Sequence, residues 1–268
     1  MPSPEGLLVS GVTVRFGGVT AVDGAGLTAP PATVTGLIGP DGAGKTTLCD
    51  VIAGLRRPCA GTVRLDGEDL TGGGARDRVR HGIARTSQRP GPSGALTVHE
   101  SVRAAAGRHV KARRHAGASW AERWRRRRDA LRDTGRQADE ILARVGIADY
   151  AERRASSVPP DVARLVALAQ ALAAEPAVLL LDEPWTGLPV RRARALEVLL
   201  RDLAAEGLAV LVAESELEPV MGVCDVLHVL DAGRMIATGP PVEVRADRRV
   251  RDAYRASPGP GADAALSA

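Results

Sequence analysis

Apolar and polar positions alternate in short runs over the first forty residues, and the period lengthens to that of a helix further along the chain. Leu7–Phe16, 19–28 and Thr33–Ile38 read as three β-strands, separated by turns at Gly17-Gly18 and Pro30-Pro31. The third strand ends in a glycine-rich turn that opens a helix over about 45–55. Strands follow at 62–65, turning at Asp66-Gly67, and at 83–86. From 97 to 148 the helical period dominates, with breaks expected near Gly107, Gly117 and Gly135. A proline-containing junction at 156–161 precedes a helix over 162–174 and an apolar strand at 177–181. A helix over 191–206 and strands at 209–213 and 226–230 complete the pattern, the last turning at Asp231-Ala232-Gly233. Strands alternating with helices predict a parallel sheet, and the early hairpins predict a separate β edge. No internal repeat or sustained heptad appears, and the small, polar stretch 256–268 is expected to be disordered.

Composition narrows the class. With 268 residues, 44% hydrophobic and 25% charged, the chain can bury a sizeable core, which excludes global disorder and suits one large α/β domain with an inserted lobe. Aromatic residues make up 2%, so the core is Leu, Val and Ala, and the stacking surfaces of single-strand nucleic-acid binders are missing. Asn is absent, which excludes the Asn-Lys-x-Asp motif that reads guanine. Cys49, Cys59 and Cys224 show no C-x-x-C spacing, so neither a zinc knuckle nor a disulfide framework is expected. No apolar run approaches the roughly 18 residues of a membrane span, and the first residues lack the basic and apolar regions of a signal peptide. A cytoplasmic protein is the expectation. The net charge of +4 is unevenly spread, because Arg103 to Arg136 holds a cluster of basic residues that includes Arg125-Arg126-Arg127-Arg128. A solvated helix face and attraction to an anionic membrane surface both account for it; nucleic-acid binding would need a recognition fold that does not accompany it.

Chemistry enters at Gly39-Pro40-Asp41-Gly42-Ala43-Gly44-Lys45-Thr46, which fits G-x-x-x-x-G-K-[ST] between a predicted strand and a predicted helix. Glycines let the backbone wrap a β-phosphate, and their N–H groups act with the helix N-terminus as an anion site. Lys45 would neutralise phosphate oxygens and the Thr46 hydroxyl would ligate Mg²⁺, with Thr47 completing the loop. The plainer reading is a glycine-rich turn with an incidental lysine, a rare coincidence where lysine occurs only at 45 and 111. The run Ala177-Val178-Leu179-Leu180-Leu181-Asp182-Glu183-Pro184 supplies a second half. Asp182 suits Mg²⁺ coordination through water, and Glu183 suits polarising an attacking water as general base. Two acids capping a buried strand is the plainer alternative.

These motifs, with Gln88 between them, resemble those of the ATP-binding cassette (ABC) ATPases, and the resemblance covers nearly the whole chain. It implies an α/β P-loop NTPase fold with a mixed central sheet, an N-terminal antiparallel β subdomain and an inserted α-helical subdomain. A single domain over 1–255 is expected, with the helical part at about 89–165 inserted in it. The resemblance implies ATP and Mg²⁺ as cofactors. Phe16, the only Phe, matches the aromatic that stacks on adenine, its alternative being a core side chain. Gln88, in Arg85-Thr86-Ser87-Gln88, matches the loop glutamine that touches Mg²⁺ or the water and senses the membrane partner. Val220-Met221-Gly222-Val223-Cys224-Asp225, Arg85-Thr86, the long helical insert and the stretch from Ala237-Thr238-Gly239-Pro240 to Ala253-Tyr254 look more closely like the ATP-binding subunits of branched-chain (hydrophobic) amino acid importers. Such subunits pair head to tail with a second cassette and act on membrane permease subunits at the inner face of the cell membrane. No direct nucleic-acid partner is implied.

Three departures from the family pattern stand out. Where the family carries Leu-Ser-Gly-Gly-Gln, this chain reads Ser157-Val158-Pro159-Pro160-Asp161, without the hydroxyl and N–H donors that would meet a γ-phosphate across the dimer. Ser215, in Glu214-Ser215-Glu216, stands at the place of a switch histidine and cannot carry an imidazolium proton. The segment after Pro184 reads Trp185-Thr186-Gly187-Leu188-Pro189, with proline at a normally polar position. Leu70-Thr71-Gly72-Gly73-Gly74 looks more like a signature but precedes Gln88 and reads as a loop. Two functions stay open: an ATP-driven importer subunit, and a degenerate cassette that binds ATP, hydrolyses it poorly and serves a heterodimeric transporter. A soluble cassette acting on DNA or ribosomes would bring a tandem second cassette, which is missing here.

Overall fold

A computed structural model describes the backbone of residues 6–86, 95–112 and 120–256, and their side chains outside 108–132. In chain order the elements are β1 (Leu7–Phe16), β2 (Val19–Ala29), β3 (Thr33–Ile38), α1 (Lys45–Ile52), β4 (Ala60–Leu65), β5 (Glu68–Asp69), α2 (Ala75–Arg80), β6 (Ile83–Arg85), α3 (Val98–Ala112), α4 (Trp120–Val145), α5 (Pro160–Leu172), β7 (Val178–Asp182), α6 (Val190–Ala205), β8 (Ala209–Glu214), α7 (Glu218–Met221), β9 (Val226–Asp231), β10 (Arg234–Gly239), α8 (Pro241–Ala246) and α9 (Arg248–Ala256). They fall into two compact units. The first holds the described residues up to Ile83, Ala177–Thr186 and those from Val190 on; the second holds Ala84–Pro176 and Gly187–Pro189.

The first unit contains two sheets of different character. An antiparallel sheet runs β2-β1-β4-β5, and a mixed sheet runs β10-β9-β3-β8-β7-β6, with the unit boundary falling inside β6 after Ile83. In β1 the residues alternate, with Leu7, Val9, Val12 and Val14 buried, as expected of a strand wet on one side. In β7 and β8 every residue is buried, which is why both read as unbroken apolar runs. β3 lies between β8 and β9, parallel to both, with Ile38 level with Glu214 on one side and Val229 on the other. α1 buries Leu48, Cys49, Val51 and Ile52, and its last carbonyl is held from below. The guanidinium of Arg78, 1% exposed, donates Nε–H to Ile52 O at 2.9 Å and a second N–H to Leu70 O. A cation there complements the negative end of the helix dipole.

The second unit is built on α3, α4 and α5, which pack on one another. Val98, Val102, Ala138, Leu142, Ile147 and Val162 are its buried centre. Thr97 and Glu100 cap α3 reciprocally, each side chain accepting the other's backbone N–H at 3.1 and 2.9 Å.

The mixed sheet, the antiparallel β part and the helical insert agree with the fold read from the sequence. Some details differ. α3 runs through Gly107 and α4 through Gly135, where breaks were expected; a mid-helix glycine costs about 1 kcal/mol, which tertiary packing outweighs. Gly117 and Gln88 lie outside the described residues, as does the expected tail beyond Ala256, while Ala256 itself closes α9. Among the described residues no helix is long and apolar enough to cross a membrane.

Candidate nucleotide-binding site

The site begins where β3 ends. Gly39 follows Ile38 with φ 157°, and a Cβ there would lie 1.9 Å from Leu230 O, so only glycine fits. Gly44, the N-cap of α1 at φ 106°, is packed as closely, its hypothetical Cβ 2.5 Å from Ala21 O. The back of the loop is therefore closed against β9 and β2. At Gly42 nothing lies within 4 Å of a built Cβ, so the loop is open on that side. Two backbone bonds hold its shape, Ala43 N–H to Pro40 O at 3.1 Å and Gly233 N–H to Ala43 O at 2.9 Å.

Lys45 is 5% exposed and folds back, donating to Gly39 O at 2.7 Å and Pro40 O at 3.0 Å. Burial lowers its pKa, while the carboxylates of Asp41, Glu183, Glu214 and Asp182 oppose the shift. A buried ammonium resting on two neutral carbonyls is well placed to exchange them for phosphate oxygens. Thr46 is exposed at the start of α1, and Thr47 is half-buried behind it.

The acidic strand supplies the opposite wall. Asp182 ends β7, 6% exposed and level with Ala213 of β8. Glu183 takes a left-handed conformation, φ 48°, with its N–H on Ala213 O at 2.9 Å. That conformation costs a non-glycine residue on the order of 1 kcal/mol and breaks the strand's alternation. Ser215 joins the two halves: its hydroxyl donates to Asp41 Oδ1 at 2.7 Å, and Glu183 Oε1 is 3.4 Å away. Below them Glu214, 4% exposed, accepts the Trp185 N–H at 3.4 Å. Burial raises its pKa to about 7 against the lowering effect of that bond.

The structure thus places Asp41, Lys45, Glu183 and Ser215 close together in the first unit, with Asp182 at the end of the neighbouring strand. Phe16 ends β1, 43% exposed, and the Arg56 guanidinium covers one face of its ring at 4.2 Å. It is not a core side chain. Gln88 is outside the described residues. Ser157, Val158, Pro159, Pro160 and Asp161 belong to the second unit, at the start of α5. There Pro159 is the N-cap, Pro160 the first helical residue and Asp161 lies in the first turn, while Ser157 Oγ donates to Arg154 O at 2.9 Å.

Sequence reasoning passed over Arg56 and Glu214. Nothing in the pattern around 56 marks it, whereas Glu214 stood beside Ser215 and was read only for the missing histidine. The donor set suits a nucleotide phosphate: backbone N–H groups, a helix N-terminus with no acidic residue in its first turn, and a buried lysine. Among the described residues no cluster of three His, Cys, Asp or Glu could hold a metal ion alone. Thr46 and Asp182 are oxygen donors of the kind that hold Mg²⁺ together with substrate phosphates and water.

Such a strand–loop–helix phosphate cradle facing a carboxylate-tipped strand defines a P-loop nucleotide-binding cassette. Residues 22–186 match the family described as ABC transporter, and 234–254 match the branched-chain amino acid ATP-binding cassette transporter description. The high-affinity branched-chain amino acid transport ATP-binding protein BraF of Pseudomonas aeruginosa is 33% identical over 249 residues, covering 92% of this chain and 96% of that protein. LivG of Escherichia coli K12, of the same description, is 31% identical with the same coverage. Among solved structures, the ADP conformation of an ATP-binding cassette of an ABC transporter superposes with a TM-score of 0.78 at 27% identity, over 93% of this chain and 98% of that one. The chain belongs to the ABC transporter ATP-binding family.

Proposed function

We propose that this chain binds Mg-ATP in the Gly39–Thr47 loop and couples its hydrolysis to uptake of a branched-chain or other hydrophobic amino acid. It would work as a peripheral subunit on the cytoplasmic face of the cell membrane, paired with a second cassette and docked on membrane permease subunits. One observation carries the nucleotide reading: a buried lysine on a loop closed behind and open in front, with two strand-end carboxylates beside it. The solute reading rests on the 234–254 match and on the likeness to the branched-chain amino acid transport proteins BraF and LivG. The methionine import protein MetN of Rhizobium johnstonii, 33% identical over 88% of this chain, keeps other amino acids in view.

In this reading Lys45 and the N–H groups at the start of α1 bind phosphate, and Phe16 takes the base. Asp182 and Thr46 hold Mg²⁺, which would neutralise charge on the phosphates. Glu183 takes a proton from the attacking water, with Gln88 and Ser215 orienting the reacting groups. Calorimetry with Mg-ATP tests binding, and reconstitution with the permease subunits followed by leucine and methionine uptake tests the solute. Uptake of neither amino acid would sink the solute assignment.

A second reading is favoured by one observation, the two prolines and Asp161 at the start of α5. If that helix is the signature, each homodimer site would lack donors, and brisk turnover would require a partner cassette. A steady-state ATPase assay with and without such a partner separates the two.

A further inference from the structure

Asp41 is the one acid of the Gly39–Thr47 loop, as Lys45 is its one cation. The two are placed differently. Lys45 is buried on the Gly39 and Pro40 carbonyls, whereas Asp41 is exposed beside Gly42, where the loop is open. A carboxylate at the mouth of a phosphate cradle repels the ligand the cradle is built for.

What holds Asp41 there is Ser215, just past the end of β8. Its hydroxyl donates to Asp41 Oδ1 at 2.7 Å, and Glu183 Oε1 lies 3.4 Å from the same oxygen. A hydroxyl has one proton, and an ionised carboxylate only accepts. Between two carboxylates the proton goes to the nearer, in a short, charge-assisted bond. Ser215 thus has no second proton for an arriving phosphate, and it gathers two carboxylates around itself. Glu183 says which phosphate they meet. In the nucleotide reading above it faces the water that attacks the terminal phosphate, so Ser215 and Asp41, one and two contacts away, stand at the terminal-phosphate end.

We propose that Asp41 is a specificity-determining residue that weighs the length of the phosphate chain: held by Ser215 beside Glu183, its carboxylate disfavours a third phosphate and makes the isolated chain prefer a nucleoside diphosphate to the triphosphate. Ser215 is the positioning residue for that charge, serving the loop rather than the phosphate. The proposal rests on the nucleotide reading above. Its consequence is that the triphosphate is held well only when donors from outside this chain offset Asp41.

Calorimetry on the full chain tests it, with Mg-ADP and the Mg complex of a non-hydrolysable ATP analogue. The unmodified protein should bind the diphosphate about fivefold more tightly. Asp41→Asn keeps the shape and hydrogen-bonding capacity of the side chain and removes its charge. It should strengthen triphosphate binding until the two affinities agree within about twofold, while Asp41→Glu, which keeps the charge, should keep the preference. Ser215→Ala releases the carboxylate to turn into water, so the preference should shrink. A Ser215 that donated to phosphate would make it grow, and growth would overturn the positioning role. Equal affinities in the unmodified protein, or a preference that Asp41→Asn leaves untouched, would overturn the proposal. So would an equal gain for both nucleotides, which would make Asp41 a general source of repulsion. Should Asp41→Asn fail to fold, Asp41→Ser removes the same charge and decides in its place. If the unmodified protein binds neither nucleotide, the nucleotide reading itself fails and takes this proposal with it.

Discussion

Two helices of this protein begin after a turn, and their first residues could hardly differ more. α1 starts from Gly44, carries no acidic residue in its first turn and has a lysine as its first helical residue. α5 starts from Pro159 and Pro160, with Asp161 following. Both ends carry the same partial positive charge of the helix dipole. What separates them is access to it. Two prolines remove two of the N–H groups that a helix start leaves free, and a carboxylate beside the remainder uses the positive potential internally. A helix N-terminus is thus an anion site only where the sequence leaves its donors unspent.

The largest expected effect comes from breaking the α1 end. Lys45→Ala should weaken Mg-ATP binding roughly a hundredfold, about 3 kcal/mol, by calorimetry. Unchanged affinity would remove the basis of the comparison. Converting the α5 end toward the α1 type is the next largest. Val158→Ser, Pro159→Gly, Pro160→Gly and Asp161→Gln, combined with Ser215→His, should raise ATP hydrolysis by the isolated chain by at least about tenfold, as restored donors are worth up to about a hundredfold each. Brisk hydrolysis by the unmodified chain alone, abolished by Glu183→Gln, would show that the α5 end is not limiting.

A pH experiment sharpens the electrostatics around α1. Glu214 has its pKa raised by burial from 4.5 to about 7. The folded protein therefore holds this proton more tightly than the unfolded chain between those values. Its contribution to stability is full below about pH 4.5 and is lost as pH rises through 7. Glu214→Gln should abolish that slope and stabilise the fold at pH 8, by up to about 3 kcal/mol. Equal melting temperatures of the two proteins across pH 5–8 would refute it. The smallest effect concerns the base rather than the phosphates. Phe16→Ala should lower ATP affinity a few-fold, about 1 kcal/mol of stacking, and leave inorganic triphosphate binding nearly untouched; equal losses for both ligands would indicate a folding role.

The phosphate loop and β7 were legible because their patterns are local: glycines at fixed spacing between a strand and a helix, and an unbroken apolar run ending in acids. The breaks expected at Gly107 and Gly135 failed for the opposite reason, since packing among α3, α4 and α5 decides those positions. α2, α7 and α8 run for six residues or fewer, too short to show a helical period. Arg56 over Phe16 joins residues forty positions apart, and the Ser215–Asp41 bond spans 174. Pairings at that distance are made by the fold and have no trace in either segment alone.

The three cysteines differ in a way that has an experimental use. Cys49 and Cys224 are buried, out of reach of a reagent in solution, and burial also pushes the Cys224 thiol up to about 12. Cys59 is exposed, three residues beyond Arg56, with its backbone N–H on Thr13 O at 2.7 Å. A maleimide dye should therefore attach at one place without any cysteine being removed. It would sit beside Thr13 of β1, the strand that ends in Phe16, where its fluorescence could follow nucleotide binding in real time.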